Sequence, residues 1–116
     1  MIVIRLAWPD KRLSPNARTH WAVKSPITKA ARSDAAMTML AALRGRKIEA
    51  TDAIPMTWVF CPPDRRQRDR DNIIACCKPL QDGIADALGI NDARFEPTYR
   101  MGEPVRGGAV IVEVAV

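Results

Sequence analysis

At 116 residues the chain has room for one hydrophobic core and too little for two. Its 47% hydrophobic and 27% charged residues are ordinary for a globular protein, and no apolar run is long enough to span a bilayer. The net charge of +5 favours a polyanionic partner, through attraction to phosphates and release of their counterions.

Residues 2–8 alternate, with Ile2, Ile4, Leu6 and Trp8 on one side and Val3, Arg5 and Ala7 on the other, which predicts a half-buried strand. This opening lacks the basic, then apolar, then small-residue order of a signal peptide, so a cytoplasmic protein is expected. Residues 9–26 hold Pro9, Pro15 and Pro26 among Lys11, Arg12, Arg18 and Lys24, and predict a long basic loop. From 27 to 44 the chain is rich in Ala, Met and Leu. Ala36, Met37, Leu40 and Leu43 fall at helical spacing, Gly45 is a natural stop, and small residues imply close packing against the sheet or a dimer partner.

A second strand follows, with Ile54, Met56, Trp58 and Phe60 inward and Pro55 near its start. Residues 62–70 are a charged loop, and 72–88 predict a second helix ending at Gly89 and kinked near Pro79. After the turn at 90–92, Phe95, Tyr99 and Met101 suggest a strand interrupted by Pro97. Val110, Val112, Val114 and Val116 form the last strand. The expectation is a single α+β domain over 1–116 in β-α-β-α-β-β order, a mixed sheet with two helices packed on one face. The three cysteines, with Cys76 and Cys77 adjacent and no C-x-x-C, read as reduced and buried, and the single histidine, His20, leaves no zinc site.

The chemistry concentrates at Asp69-Arg70-Asp71-Asn72, where a loop hands over to a helix. There the backbone turns, so carboxylates two residues apart can converge on one cation, and Asp71 or Asn72 can serve as N-cap. At roughly 100° per residue, Ile73, Cys77, Leu80, Ile84 and Leu88 share one side, while Asp71, Lys78, Asp82 and Asp86 lie nearly opposite. Hard divalent cations take oxygen ligands, and aspartates beside a lysine suit metal-assisted phosphodiester hydrolysis. Lys78 and Asp82 at i and i+4 are equally compatible with a solvated ion pair. Arg65, Arg66, Arg68 and Arg70 immediately precede the acids, and their planar forks match phosphate oxygens.

The run from Pro63 through Arg66 to Asn72, followed by Lys78, Asp82 and Asp92, resembles the RusA family of Holliday-junction resolvases. So do the strand ending in Trp8-Pro9, the loop with Asn16 and Arg18-Thr19-His20, and the Gly107-Gly108 start of the last strand, so the likeness covers nearly the whole chain. The resemblance implies Mg²⁺ bound by Asp69, Asp71 and Asp92, with Mn²⁺ as a substitute left open, and Lys78 as a catalytic lysine. It implies a homodimer placing paired, symmetric nicks in a four-way DNA junction, in a cytoplasmic, nucleoid-associated protein of phage or prophage origin. The chain departs from the family in two places. The family lysine stands closer to D-x-D-N, so 73–77 reads as an insertion of about one helical turn, and Asn91 replaces a common aspartate.

The expected DNA contacts are Lys11, Arg12, Arg18, Lys24, Arg65, Arg66, Arg68 and Arg70. Two other readings stay open: a nuclease that prefers forks or flaps, and a non-catalytic branched-DNA-binding protein. Trp8, Trp58 and Phe60 read as core. Trp21, between His20 and Lys24, is a candidate to stack on an unpaired base.

Overall fold

The computed structural model describes residues 1–49 and 52–116. The opening alternation becomes β1 (Ile2–Leu6), which is shorter than the run that predicts it. Trp8 lies beyond its end, part-buried against the core. A short 3₁₀ turn at Lys11–Leu13 follows, and then α1 (Trp21–Leu43). The predicted basic loop is therefore cut short, and Trp21 and Lys24 are helical. His20 supplies the reason, because its Nδ1 accepts the Ala22 N–H at 3.1 Å and caps the first turn. Pro26 in the second turn removes only one hydrogen bond and does not stop the helix. Termination falls where expected, with Arg44 at φ 51° and Gly45 at φ 79°.

The inward set of β2 (Ile54–Cys61) is buried as its alternation predicts. The predicted single helix is two: α2 (Arg70–Cys76) and α3 (Lys78–Leu88). The axis breaks at Cys77, with φ −89° and ψ 0°, just before Pro79. Pro79 has no N–H for the carbonyl four residues back, and its ring excludes that carbonyl from helical position. Gly89, at φ 68°, ends α3, its N–H donating to Ala85 and Asp86. Asn91 then caps a 3₁₀ turn, Asp92–Arg94, by accepting the Ala93 N–H.

Pro97 does not interrupt β3 (Phe95–Met101), because this is an edge strand with one side free of ladder bonds. With β4 (Ala109–Val114) the sheet order is β1-β4-β2-β3. β4 runs antiparallel to β1 and β2, while β2 and β3 are parallel, joined by the α2–α3 crossover. The result is an α+β domain with a mixed four-stranded sheet and three helices, one more helix than predicted.

The core lies between one sheet face and the helices. Ile2, Ile4, Leu6, Met56, Trp58, Phe60, Val110, Val112 and Val114 meet Ala35, Met39 and Leu43 of α1 and Leu80, Ile84 and Leu88 of α3. Helices α1 and α3 touch closely. A Cβ added at Gly83 would lie 2.2 Å from the Arg32 carbonyl oxygen and 2.9 Å from the Ala35 Cβ. The close packing of α1, expected against the sheet or a dimer partner, is found instead against α3.

Candidate functional site

A groove of about 790 Å³ opens between the segment after β1 and the segment leading into α2, with Lys11, Arg12, Arg66, Arg68, Asp69 and Asn72 among its lining residues. On the first wall, Asp10 accepts the Arg12 N–H at 2.9 Å. The Arg12 guanidinium returns to the same carboxylate through Nε at 3.1 Å and Nη2 at 2.8 Å. That guanidinium, helped by the backbone bond, holds the Asp10 carboxyl down at about 2.

On the second wall, Arg68 pairs with Asp64 at 2.9 Å and donates to the carbonyls of Asp64 and Arg66 at 3.1 Å each. Its guanidinium sits 5.8 Å from the centre of the Trp8 ring. Only 17% of the side chain is exposed, so Arg68 fixes the loop as much as it offers charge. The Arg66 N–H to Asp64, the largest influence on that acid, lowers its pKa. The two walls are joined by Ser14, whose Oγ donates to Asn72 Oδ1 at 2.7 Å across 58 residues of sequence.

The D-x-D-N block sits where the second wall becomes α2. Asp69, rather than Asp71 or Asn72, is the N-cap, and its Oδ1 accepts the Asp71 N–H at 3.0 Å. Asp71 stands in the first turn and is exposed like Asp69. Both carboxylates are favoured there by the unpaired N–H groups of the helix start. Asn72 is turned instead to Ser14.

Lys78, the first residue of α3, donates to Asp82 Oδ1 at 2.7 Å and also to Asp92 Oδ2. These bonds, Asp82's first, raise the lysine's pKa, and the Lys78 ammonium lowers that of Asp92. Asp86 does not join the knot, because Arg32 of α1 grips it with two bonds of 2.6 and 2.8 Å. Lys78 bonds to Asp82 and Asp92, not to Asp71, and the break at Cys77 ends the single helix on which Asp71 and Lys78 would share a face. Asp92 meets Lys78, while Asp69 lines the groove and Asp71 is exposed beside it in the first turn of α2. Among the described residues, no three His, Cys, Asp or Glu side chains gather closely enough to hold a metal ion. The donor chemistry still suits Mg²⁺, which takes one or two carboxylates and keeps several waters. Asp69 and Asp71 offer exposed carboxylate oxygens of that kind.

Of the other basic residues expected to meet a polyanion, Arg65 reaches Glu103 at 3.7 Å, both side chains highly exposed. Arg18 is exposed on the segment before α1, and Arg70 is exposed as the first residue of α2. Lys24 is half-buried on α1, near enough to favour the thiolate of Cys76, although burial, the larger influence, raises that thiol's pKa. Sequence reasoning missed the tie from Ser14 to Asn72, the hold of Trp8 and Asp64 on Arg68, and the pairing of Arg32 with Asp86. The Ser14–Asn72, Trp8–Arg68 and Arg32–Asp86 pairs are too distant in sequence to leave a periodic signal, whereas Asp64 and Arg68 stand four apart in a loop, where that spacing predicts no contact. The grip of Lys78 on Asp82 was legible as an i,i+4 pair.

No helix among the described residues is long and apolar enough to cross a membrane. No family model matches the chain. A protein of Xylella fastidiosa (strain Temecula1 / ATCC 700964), described only as uncharacterized, is 41% identical over 113 residues, which is 96% of this chain and 74% of that protein. Identity at that level over nearly the whole chain places the two in one family, and this chain belongs to the family of the Xylella protein.

Proposed function

We propose that the protein is a Mg²⁺-dependent, structure-specific DNA endonuclease of the RusA type, resolving four-way junctions by paired symmetric nicks as a homodimer. The observation that carries this reading is the hydrogen bond from Ser14 to Asn72. It fastens the basic segment holding Lys11 and Arg12 to the D-x-D-N block, so donors suited to phosphate and the Asp69 carboxylate, suited to a cation, border one groove.

In this reading Asp69 and Asp71 would hold Mg²⁺, and Asp92 would join them on release from Lys78, the metal supplying an activated water and neutralising phosphate charge. Lys11, Arg12 and Arg66 position the DNA backbone from the groove walls. The raised pKa of Lys78 keeps it an ammonium at neutral pH, so it acts as a fixed positive charge beside a developing phosphate anion and not as a base. A two-fold dimer would present one such site to each of two symmetry-related strands. The reading also places the protein in the cytoplasm with the nucleoid, in a phage or prophage setting.

The test is a labelled synthetic four-way junction incubated with and without Mg²⁺, with Mn²⁺ in parallel, beside a fork, a flap and a linear duplex. Symmetric nicks confined to the junction, dependent on the metal and lost in Asp71→Asn, are expected. Cutting of the fork or flap instead keeps the nuclease and changes its substrate. The engagement of Asp92 by Lys78 favours a second reading, a branched-DNA-binding protein without catalysis. Tight junction binding with no cutting under either metal would establish it.

A further inference from the structure

Three tryptophans occupy three different environments. Trp58 is 1% exposed in the core, Trp8 is part-buried beneath Arg68, and Trp21 is 74% exposed. A large aromatic ring left in water forfeits a substantial gain from burial, so its exposure calls for a reason. Trp21 is not on a mobile loop, as its sequence surroundings suggest, but in the first turn of α1. The ring of His20 lies beside it, centroids 5.7 Å apart and tilted by 33°. The cap bond from Ala22 to His20 Nδ1 fixes that imidazole, so the two rings form a pre-set aromatic surface.

The position of this turn relative to the groove follows from its neighbours. Thr19, just before it, lines the groove, and so does Cys76. Lys24, three residues after Trp21 and hence adjacent on the helix surface, lies within electrostatic reach of Cys76. The aromatic pair directly follows Thr19 in the chain and so adjoins, without lining, the groove whose walls carry Lys11, Arg12, Arg66 and Arg68. Cationic walls beside an exposed aromatic ring match the needs of a nucleic-acid strand, with phosphates held along the groove and a base stacked beside it.

We infer that Trp21, backed by His20, is a stacking platform for an unpaired or unstacked base of branched DNA, so that the groove discriminates a junction or fork from continuous duplex. This rests on the DNA reading above but not on catalysis. Stacking engages a base face and neutralises no phosphate, which separates it from the arginine contacts in its salt dependence.

The test uses the full chain and a four-way junction carrying 2-aminopurine at the branch point, without Mg²⁺, beside a linear duplex of equal length. Trp21→Ala is expected to weaken junction binding on the order of ten- to a hundred-fold and to leave duplex binding and the salt slope nearly unchanged. Trp21→Phe should restore most of the affinity. The wild-type junction complex should change both tryptophan and 2-aminopurine fluorescence, a signal absent from Trp21→Ala. An unchanged melting temperature of Trp21→Ala would show that folding is intact, as the exposure of the ring requires. Equal junction affinity of wild type and Trp21→Ala overturns the platform. A change in monomer–dimer balance without a change in DNA affinity also overturns it and makes Trp21 a contact between copies. Loss of binding in Trp21→Ala by a wild type that never cuts would sustain the platform while ending the nuclease reading. A wild type that binds no DNA ends both.

Discussion

The contact between α1 and α3 and the groove beside α2 are built on opposite principles. At the first, side chains are removed so that backbones can approach, with Gly83 set against the Arg32 carbonyl and Ala35. At the second, charged and polar side chains hold irregular backbone in place: Arg12 on Asp10, Arg68 on Asp64 and two carbonyls, Ser14 on Asn72. Close packing makes a rigid scaffold whose failure unfolds the chain. Polar bonding makes a wall whose failure alters the shape of the groove, since each bond contributes only about 0.5–1.5 kcal/mol net. The scaffold can thus stay folded while the groove changes, which is the property a binding surface requires.

The sharpest way to break this contrast is at Gly83. Gly→Ala within an ordinary exposed helix stabilises by about 1 kcal/mol. Here even one methyl must push α1 from α3, so Gly83→Ala is expected to destabilise, and Gly83→Val to cost about 3 kcal/mol or more. Chemical denaturation measures both, and a stabilising Gly83→Ala would show that the two helices do not meet so closely. On the groove side, Ser14→Ala leaves the part-buried Asn72 oxygen without its donor and should cost about 1–2 kcal/mol. A double-mutant cycle with Asn72→Ala should recover a coupling of about 1 kcal/mol. Zero coupling would mean that the two walls are not fastened there.

The same contrast explains what could be read from the sequence. Strand faces such as Ile2-Ile4-Leu6 and Val110-Val112-Val114, and the apolar stripe of Leu80, Ile84 and Leu88, repeat with the period of their element and were legible. The start of α1 was not, because a histidine is an uncommon cap and Pro26 argues locally against a helix. Nor was the uninterrupted β3, since only its edge position excuses Pro97. Asp69, Asp71, Lys78 and Asp92 were all identified as candidates from motif and resemblance. The separation of Asp69, in the groove, from Lys78 and Asp92 goes with the break at Cys77, a tertiary detail that helical angles cannot supply.

Smaller effects separate the arginines of the groove wall. Arg68 is largely enclosed and makes planar, multiple contacts that an ammonium cannot copy, so Arg68→Lys should cost about 1 kcal/mol of stability. Arg66→Lys, on a side chain that is 80% exposed, should stay within about 0.5 kcal/mol. Equal costs at the two positions would remove the distinction between an arginine that shapes the wall and one that faces solvent.

The smallest effect expected is the pH dependence of the first wall. The Asp10 carboxyl is held at about 2, below the value near 4 of an unfolded aspartate. A depressed folded pKa means that the unfolded chain takes up the proton first as pH falls. The stabilisation is therefore fully present above about pH 4 and disappears as pH drops through about 2. Asp86, lowered by Arg32, contributes in the same direction from the scaffold. Both pairs are exposed and screened by solvent, so the change in melting temperature is slight and shrinks further in high salt. Asp10→Asn should flatten that part of the melting profile without altering the plateau near neutrality by more than the loss of one surface ion pair. If Asp10→Asn instead leaves stability unchanged at every pH from 2 to 7, the bond from the Arg12 N–H, which an amide oxygen also accepts, and not the carboxylate charge, holds this wall in place.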